Sequence, residues 1–302
     1  MNDLGSRCGF VAIVGRPNVG KSTLLNHLMG QKLSITSSKP QTTRQQIGGI
    51  STKEGVQIIY VDTPGLHQGQ KKILNRYMNK SVHRAIAQVD ILVFLVDVRQ
   101  WTSEDEAVLN ALKTTKKPVV LVLNKIDLLP QKDALLPIME EMQKKMDFKA
   151  MIPMAALTGE NVKQLEDALV SLLPESVHFY PGDTVSHQNT HFFLAELVRE
   201  KIMRLLQEEI PYATTVVIEK LEKTEKVMKV YAMIVVEREG QKGILIGKKG
   251  EMLKTIGRQA RMDMESLLGQ KVYLELWVKV KENWSDKDSL LHELGYSDPD
   301  KS

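Results

Sequence analysis

The chain has 302 residues, a formal net charge of +4 and few aromatic residues. A single cysteine, Cys8, excludes an internal disulfide framework and suits a reducing compartment. No run approaches the ~20 apolar residues of a membrane span, and the N-terminus reads as neither signal nor transit peptide, so a soluble, cytoplasmic protein is expected. The length suits two domains. Residues 1–175 carry 22 basic and 17 acidic side chains, and residues 176–302 carry 19 and 20. The second part is therefore not a basic domain, and any nucleic-acid binding there must use a local cluster.

In chain order, residues 10–14 are apolar and β-branched, which predicts a buried parallel strand. Gly15, Arg16, Pro17, Asn18, Val19, Gly20, Lys21 and Ser22 follow and fit G-x-x-x-x-G-K-[ST]. Thr23, Leu24, Leu25, Leu28 and Met29 then give a helical face that Gly30 stops. Strand, glycine loop and helix is the context in which backbone N–H groups cradle nucleoside triphosphate phosphates, Lys21 adds a point charge and Ser22 offers Mg²⁺ a hydroxyl. Residues 31–45 form a long polar loop, and loops of that length are often functional. Two strands at 47–51 and 56–61 end in Asp62, Thr63, Pro64 and Gly65, which fit D-x-x-G. The Asp in that pattern can hold Mg²⁺, and the Gly N–H can reach a γ-phosphate.

A helix is expected near 74–87, apolar strands at 91–96 and 119–123, and between them an N-capped helix start at Ser103, Glu104, Asp105 and Glu106. After the second of these strands, Asn124, Lys125, Ile126 and Asp127 fit N-K-x-D. A carboxylate there can accept hydrogen bonds from guanine N1–H and the N2 amino group, donors that adenine lacks in that arrangement. A short strand at 150–154 leads into Ala155, Ala156 and Leu157, a small loop placed to close over a base. Helices are expected near 133–146 and 161–173. Strands alternating with helices predict an α/β fold with a mostly parallel sheet covered on both faces, and the polar motifs all fall at strand carboxyl ends.

Residues 176–190 read as a linker with Pro181 and Gly182. A second organisation in the order α-β-β-α-α-β follows over 191–295, with a C-terminal helix and a tail over 296–302 expected to be mobile. Ile246, Gly247, Lys248, Lys249 and Gly250 place a G-x-x-G loop at the start of a helix expected to turn Leu253, Ile256, Ala260, Met264 and Leu267 inward. Lys254, Arg258 and Arg261 share one face of that helix. With Lys242, Lys248 and Lys249 they make six basic side chains against one acid, Glu251, over residues 242–261. On the last strand, Tyr273 and Trp277 could stack bases or pack under the C-terminal helix. His178, His187 and His191 share no metal-ligand spacing.

These motifs resemble those of the translation-factor-class P-loop GTPases, in that family's order across 15–159. The second part resembles a type II KH RNA-binding domain. The combination resembles the bacterial ribosome-assembly GTPases and covers nearly the whole chain. The resemblance implies a slow GTPase with Mg²⁺ as cofactor, held by Ser22, Thr43 and Asp62, and with Lys21, Thr43 and Gly65 serving hydrolysis. Residues 31–45 would be the first switch, with Thr42 the alternative to Thr43, and the segment after Gly65 the second. Leu66 occupies the place of the water-orienting Gln of Ras-like enzymes, and K⁺ at Asn18 is expected to supply part of the missing charge. The implied partners are GTP, GDP, the 3′ end of 16S ribosomal RNA and the small ribosomal subunit, with peripheral inner-membrane association and a monomeric state. On the residues alone, a GTPase acting through protein partners and a P-loop kinase or ATPase both stay open.

Overall fold

The computed structural model describes residues 6–65 and 72–296. Leu66 therefore lies outside the described residues, as does most of the expected tail. The described chain packs as two compact units, with one boundary between His187 and Gln188.

The first unit is a six-stranded sheet. Its strands are β1 (Arg7–Val14), β2 (Ile47–Lys53), β3 (Val56–Asp62), β4 (Ile91–Asp97), β5 (Val119–Asn124) and β6 (Ala150–Met154), in the order β2-β3-β1-β4-β5-β6. Only β2 runs antiparallel to its neighbour; the other pairings are parallel. All seven residues of β4 and all six of β5 are buried, which is why their sequences are continuous apolar runs rather than alternating ones. One face packs Ala12, Val14, Phe94, Val96 and Leu121 against the helices α2 (Ile73–Gln88), α3 (Ser103–Leu112) and α4 (Leu135–Lys145) through Val82, Leu109 and Met142. The helices α1 (Lys21–Met29) and α5 (Val162–Leu172) lie against β2, β3 and β6. Strand order reverses at β1, between β3 and β4, and that reversal opens a crevice at the carboxyl ends of the strands. The cap of α3 is Thr102 rather than Ser103. Its hydroxyl accepts from Asp105 N while the Asp105 carboxylate accepts from Thr102 N.

The expected linker is not free chain up to His187. Gln57, fully buried in β3, accepts from the Phe179 and Tyr180 N–H groups at 2.9 and 3.0 Å and donates to Tyr180 O at 2.8 Å. Further on, Ile50 N donates to Val185 O at 2.7 Å and Ser186 Oγ to Gly48 O at 2.6 Å. The His187 ring packs against Gly48, where a Cβ would come within 2.0 Å of it and displace the ring.

The second unit contains a three-stranded sheet of β7 (Thr215–Lys223), β8 (Val227–Val236) and β9 (Lys271–Val280), with β7 antiparallel and β9 parallel to the central β8. The helices α6 (Thr190–Leu205), α7 (Glu239–Ile246) and α8 (Glu251–Leu268) bury Val198, Leu245, Ile256, Ala260 and Met264 against Val230, Ala232 and Ile234. Leu267, expected inward, is 41% exposed, and Leu268 packs on the core instead. On an ideal helix Leu267 falls about 20° from Ile256 and Leu268 about 120° from it, so the period favours 267, and the exchange arises in the last turn before the left-handed cap Gly269. Residues 72–77 pack within this unit: Ile73 N donates to Asp286 Oδ1 at 3.1 Å and Tyr77 Oη to Asp288 Oδ1 at 2.6 Å.

The chain's last described turn holds α9 (Asp288–Glu293). Trp284, not Trp277, is the fully buried indole of this region. It stacks on Tyr296 and donates Nε1 to Ala213 O at 2.9 Å. Tyr296, the first residue of the tail expected to be mobile, is buried and hydrogen-bonds to Thr215. No helix among the described residues is long and apolar enough to cross a membrane.

Candidate nucleotide site and nucleic-acid groove

The crevice at the strand ends is a cavity of about 490 Å³. The loop after β1 forms its floor by backbone conformation. Gly15 and Gly20 sit at φ 155° and 108°. A Cβ on Gly15 would lie 2.3 Å from Leu95 O, and one on Gly20 would lie 2.4 Å from the Asn124 amide nitrogen. Gly20 also opens α1 with no side-chain cap, so the helix's first N–H groups are left for an anion. Lys21 is buried and its ammonium donates to Gly15 O and Arg16 O, both at 2.9 Å. Burial pushes its pKa down to about 8, against the opposing pull of Asp62.

Three predicted residues converge beside it. Ser22 Oγ lies 2.9 Å from Thr43 Oγ1 and donates to Asp62 Oδ2 at 2.9 Å, and Thr43 Oγ1 reaches the same oxygen at 3.2 Å. Thr42 turns elsewhere, donating to Lys39 O. Of the two loop threonines, Thr43 therefore joins the cluster. Asp62 is fully buried. Burial raises its carboxyl's pKa, and Oδ1 has no hydrogen-bond partner among the described residues. Buried hard oxygens around an under-satisfied carboxylate suit a hard divalent cation such as Mg²⁺. Gly65 follows at close quarters, where a Cβ would lie 2.8 Å from Pro17.

At the other end of the cavity, Asn124 ties two loops together. Its amide donates to Val19 O at 2.7 Å, and its carbonyl accepts from Ala156 N at 2.9 Å. Lys125, at φ 70°, sends its ammonium to Asn18 O at 2.7 Å and to Asp97 Oδ2 at 2.8 Å. Asp127, Ala156 and the exposed Leu157 line the opening, as do Pro17, Asn18 and Thr23. Arg16, Val19, Asp62, Thr63, Pro64, Ile126 and Ala155 are not among the lining residues. Arg16 instead pairs with the buried Asp105 at 2.9 Å, and Thr63 Oγ1 donates to Ile13 O. Three residues of this neighbourhood lie outside every motif: Ser34, which donates to Asp62 Oδ2 at 2.9 Å, Asp97 and Asp105. A polar residue ending an otherwise apolar strand was the available signal for Asp97.

The second unit carries its own site. Gly247 and Gly250 sit at φ 72° and 81°, with Lys249 between them at φ 53°. A Cβ on Gly247 would lie 2.7 Å from that of Met252. Gly250 opens α8 without a side-chain cap, just as Gly20 opens α1. A groove of about 550 Å³ runs along α8 and β9. Gly250, Lys254, Arg258 and Arg261 line it over an apolar floor that includes Leu253 and Leu276. Lys248 and Lys249 are exposed on the loop. Ile246 and Gly247 are half-buried, and Lys242 makes a long ion pair with Glu239, so these residues stand beside the groove. Tyr273 lines the groove's far end and is half-exposed.

The phosphate loop, the D-x-x-G and N-K-x-D turns and the G-x-x-G groove define a P-loop GTPase with a KH domain. Residues 10–125 match a family described as "50S ribosome-binding GTPase", and residues 209–285 match the KH domain. The GTPase Era of Marinobacter nauticus is 56% identical across 97% of this chain and 96% of its own length. The GTPase Era of Pseudomonas aeruginosa is 51% identical, with the same shares covered. A crystal structure of Aquifex aeolicus Era bound to GDP·AlF4⁻ superposes with a TM-score of 0.93 at 38% identity, covering 96% of this chain and 99% of that one. A structure of Era with MgGDPNP and nucleotides 1506–1542 of 16S ribosomal RNA gives 0.94 at 38% identity, covering 97% and 99%. The chain belongs to the Era family of GTPases.

The Lys21 environment generates a pH dependence. Free Lys21 titrates near 8, whereas bound phosphates favour its charged form and raise its pKa. Binding therefore takes up a proton above pH 8. GDP affinity, measured by fluorescence titration, should fall by about twofold from pH 7 to 8 and by about tenfold in all by pH 9. Lys21→Met should bind weakly with a flat profile over the same range.

Proposed function

We propose that this GTPase is a nucleotide-driven switch that binds the 3′ end of small-subunit ribosomal RNA through the α8–β9 groove and acts in assembly of the small subunit. The observation that carries this reading is the chain-long likeness to a protein solved with both a GTP analogue and 16S RNA, in a chain where both sites are formed. The "50S" description belongs to a match confined to residues 10–125, whereas the RNA-bound likeness spans both units. We therefore take the RNA class from the latter.

In this reading Asp127 accepts from guanine N1–H and the N2 amino group, while Asn124 holds the phosphate loop and the Ala155–Leu157 turn in register for it. The N–H groups of the loop and of the first turn of α1, with Lys21, take the phosphates. Ser22, Thr43 and Asp62 are the residues that would hold Mg²⁺, which when bound offsets phosphate charge. Thr43 belongs to the polar loop, so ordering that loop is linked to occupancy of the site. Gly65 N–H reaches the γ-phosphate, and its loss on hydrolysis releases the second switch. Leu66 offers no side chain to orient water, so hydrolysis is slow. Asn18, held at φ 63° on the cavity wall, is the residue we assign to K⁺. Hydrolysis should be faster in KCl than in NaCl at equal ionic strength; equal rates would remove this assignment.

On the RNA side, positive-φ glycines let a nucleotide backbone approach the loop, and the basic stripe of α8 tracks the phosphates. The double reversal Lys248→Glu with Lys249→Glu should weaken binding of RNA spanning 16S nucleotides 1506–1542 by on the order of a hundredfold, with GTP hydrolysis retained. Undiminished RNA binding would instead favour a GTPase that works through protein partners.

A further inference from the structure

Asp97 ends β4 and is buried at 3% exposure. It belongs to no nucleotide-binding motif, yet its carboxylate meets the base-reading turn. Oδ2 accepts from Lys125 Nζ at 2.8 Å and from Arg99 Nη2 at 2.7 Å, and Oδ1 accepts from Arg99 Nε at 2.9 Å and from its backbone N–H at 3.2 Å. The same Lys125 ammonium donates to Asn18 O on the phosphate loop at 2.7 Å. The backbone adds a tie alongside, Val98 N to Asn124 O at 2.9 Å.

Lys125 is thus held from three sides: by the β5 turn that carries it, by the phosphate loop and by the end of β4. Its left-handed backbone is a conformation that a non-glycine residue adopts at a cost. Its four-carbon stem lines the cavity beside Asp127. Such a stem has rotamer entropy to lose, and a compact ammonium sets no orientation by itself. A buried carboxylate that anchors the ammonium removes that freedom before the ligand arrives. Arg99 in turn grips the carboxylate from two nitrogens, which fixes the direction in which it faces Lys125.

Resting on the guanine-site reading above, we infer that Asp97 is a positioning residue of the nucleotide site. It pre-sets Lys125 so that the lysine stem and Asn18 form one wall of the base pocket. It acts on nucleotide retention and not on the phosphoryl transfer step.

The test is a double-mutant cycle of Asp97→Asn with Lys125→Met in the full chain, read by GDP affinity and release rate and by the KM and kcat of GTP hydrolysis. Asp97→Asn should raise the GDP Kd and the KM for GTP by about tenfold, chiefly through faster release, with kcat unchanged. In the Lys125→Met background the same substitution should add nothing further. Arg99→Gln, at a side chain half in solvent, should give a smaller rise in the same direction that also vanishes in that background; it carries the test if Asp97→Asn fails to fold. A full, additive effect of Asp97→Asn without Lys125, or a fall in kcat with KM unchanged, would overturn the inference. If Lys125→Met alone left GDP affinity untouched, the lysine would form no wall of the base pocket and the inference would fall, while the reading of Asp127 as the guanine acceptor would stand. A KM rise that persisted additively would instead spare the lysine's place in that wall and overturn only the role of Asp97.

Discussion

The nucleotide site depends on one constraint: a carboxylate, Asp62, is taken entirely out of water at the end of β3. Burying such a group costs several kcal/mol unless polar partners surround it. Here Ser22, Ser34 and Thr43 all bring hydroxyls to one of its oxygens. Those three come from the start of α1 and from the long polar loop, so satisfying Asp62 gathers the phosphate loop, the first switch and the D-x-x-G turn at one point. The sheet makes this possible because β1 and β3 are direct neighbours, with Ile13 opposite Asp62. The other oxygen has no partner among the described residues, and that is where the cluster suits a cation.

The two sites solve anion binding in the same way. Gly20 before α1 and Gly250 before α8 both adopt the left-handed conformation and offer no side-chain cap. Two other helices are closed by a side chain, α3 by Thr102 and α6 by Asn189, whereas α4 and α5 also start without one. An uncapped helix N-terminus leaves N–H groups unsatisfied, a cost that phosphate can offset. In the proposed function the opening at Gly20 serves a triphosphate and the opening at Gly250 a nucleic-acid backbone. Around these openings the first unit adds a base reader and the second an apolar groove with a basic rim.

Much of this was legible in the sequence because the signals are local. A glycine needing positive φ, an apolar run or a turn motif at a strand end each declares itself within a few residues, and the strand ends and both glycine loops follow from such signals, whereas Thr43 was implied by the family resemblance. What was not legible depends on residues far apart in the chain. Gln57 reads as an ordinary strand residue until Phe179 and Tyr180 are laid across it. Ser34 is one hydroxyl in a loop full of them, and Asp97 gains meaning only when β5 sets Lys125 beside it. Trp284 stands in a polar stretch, between Asn283 and Ser285, that gives no sign of burial, and it is Tyr296, Thr215 and Ala213 that enclose it. Leu267 fits the helical period, and its exposure is set in the last turn of α8 beside the Gly269 cap, where the period alone does not decide which side chain packs inward.

The claim on which the account rests is that the cavity reads guanine through Asp127. The most direct measurement compares the Kd of GDP and of xanthosine diphosphate for the natural chain and for Asp127→Asn. Xanthine replaces the guanine amino group with an oxygen, so an amide at position 127 can meet it where a carboxylate cannot. The account predicts that Asp127→Asn loses GDP affinity by about a hundredfold and gains affinity for the xanthosine nucleotide. An unchanged preference for GDP would show that Asp127 is not the reader and would contradict this claim.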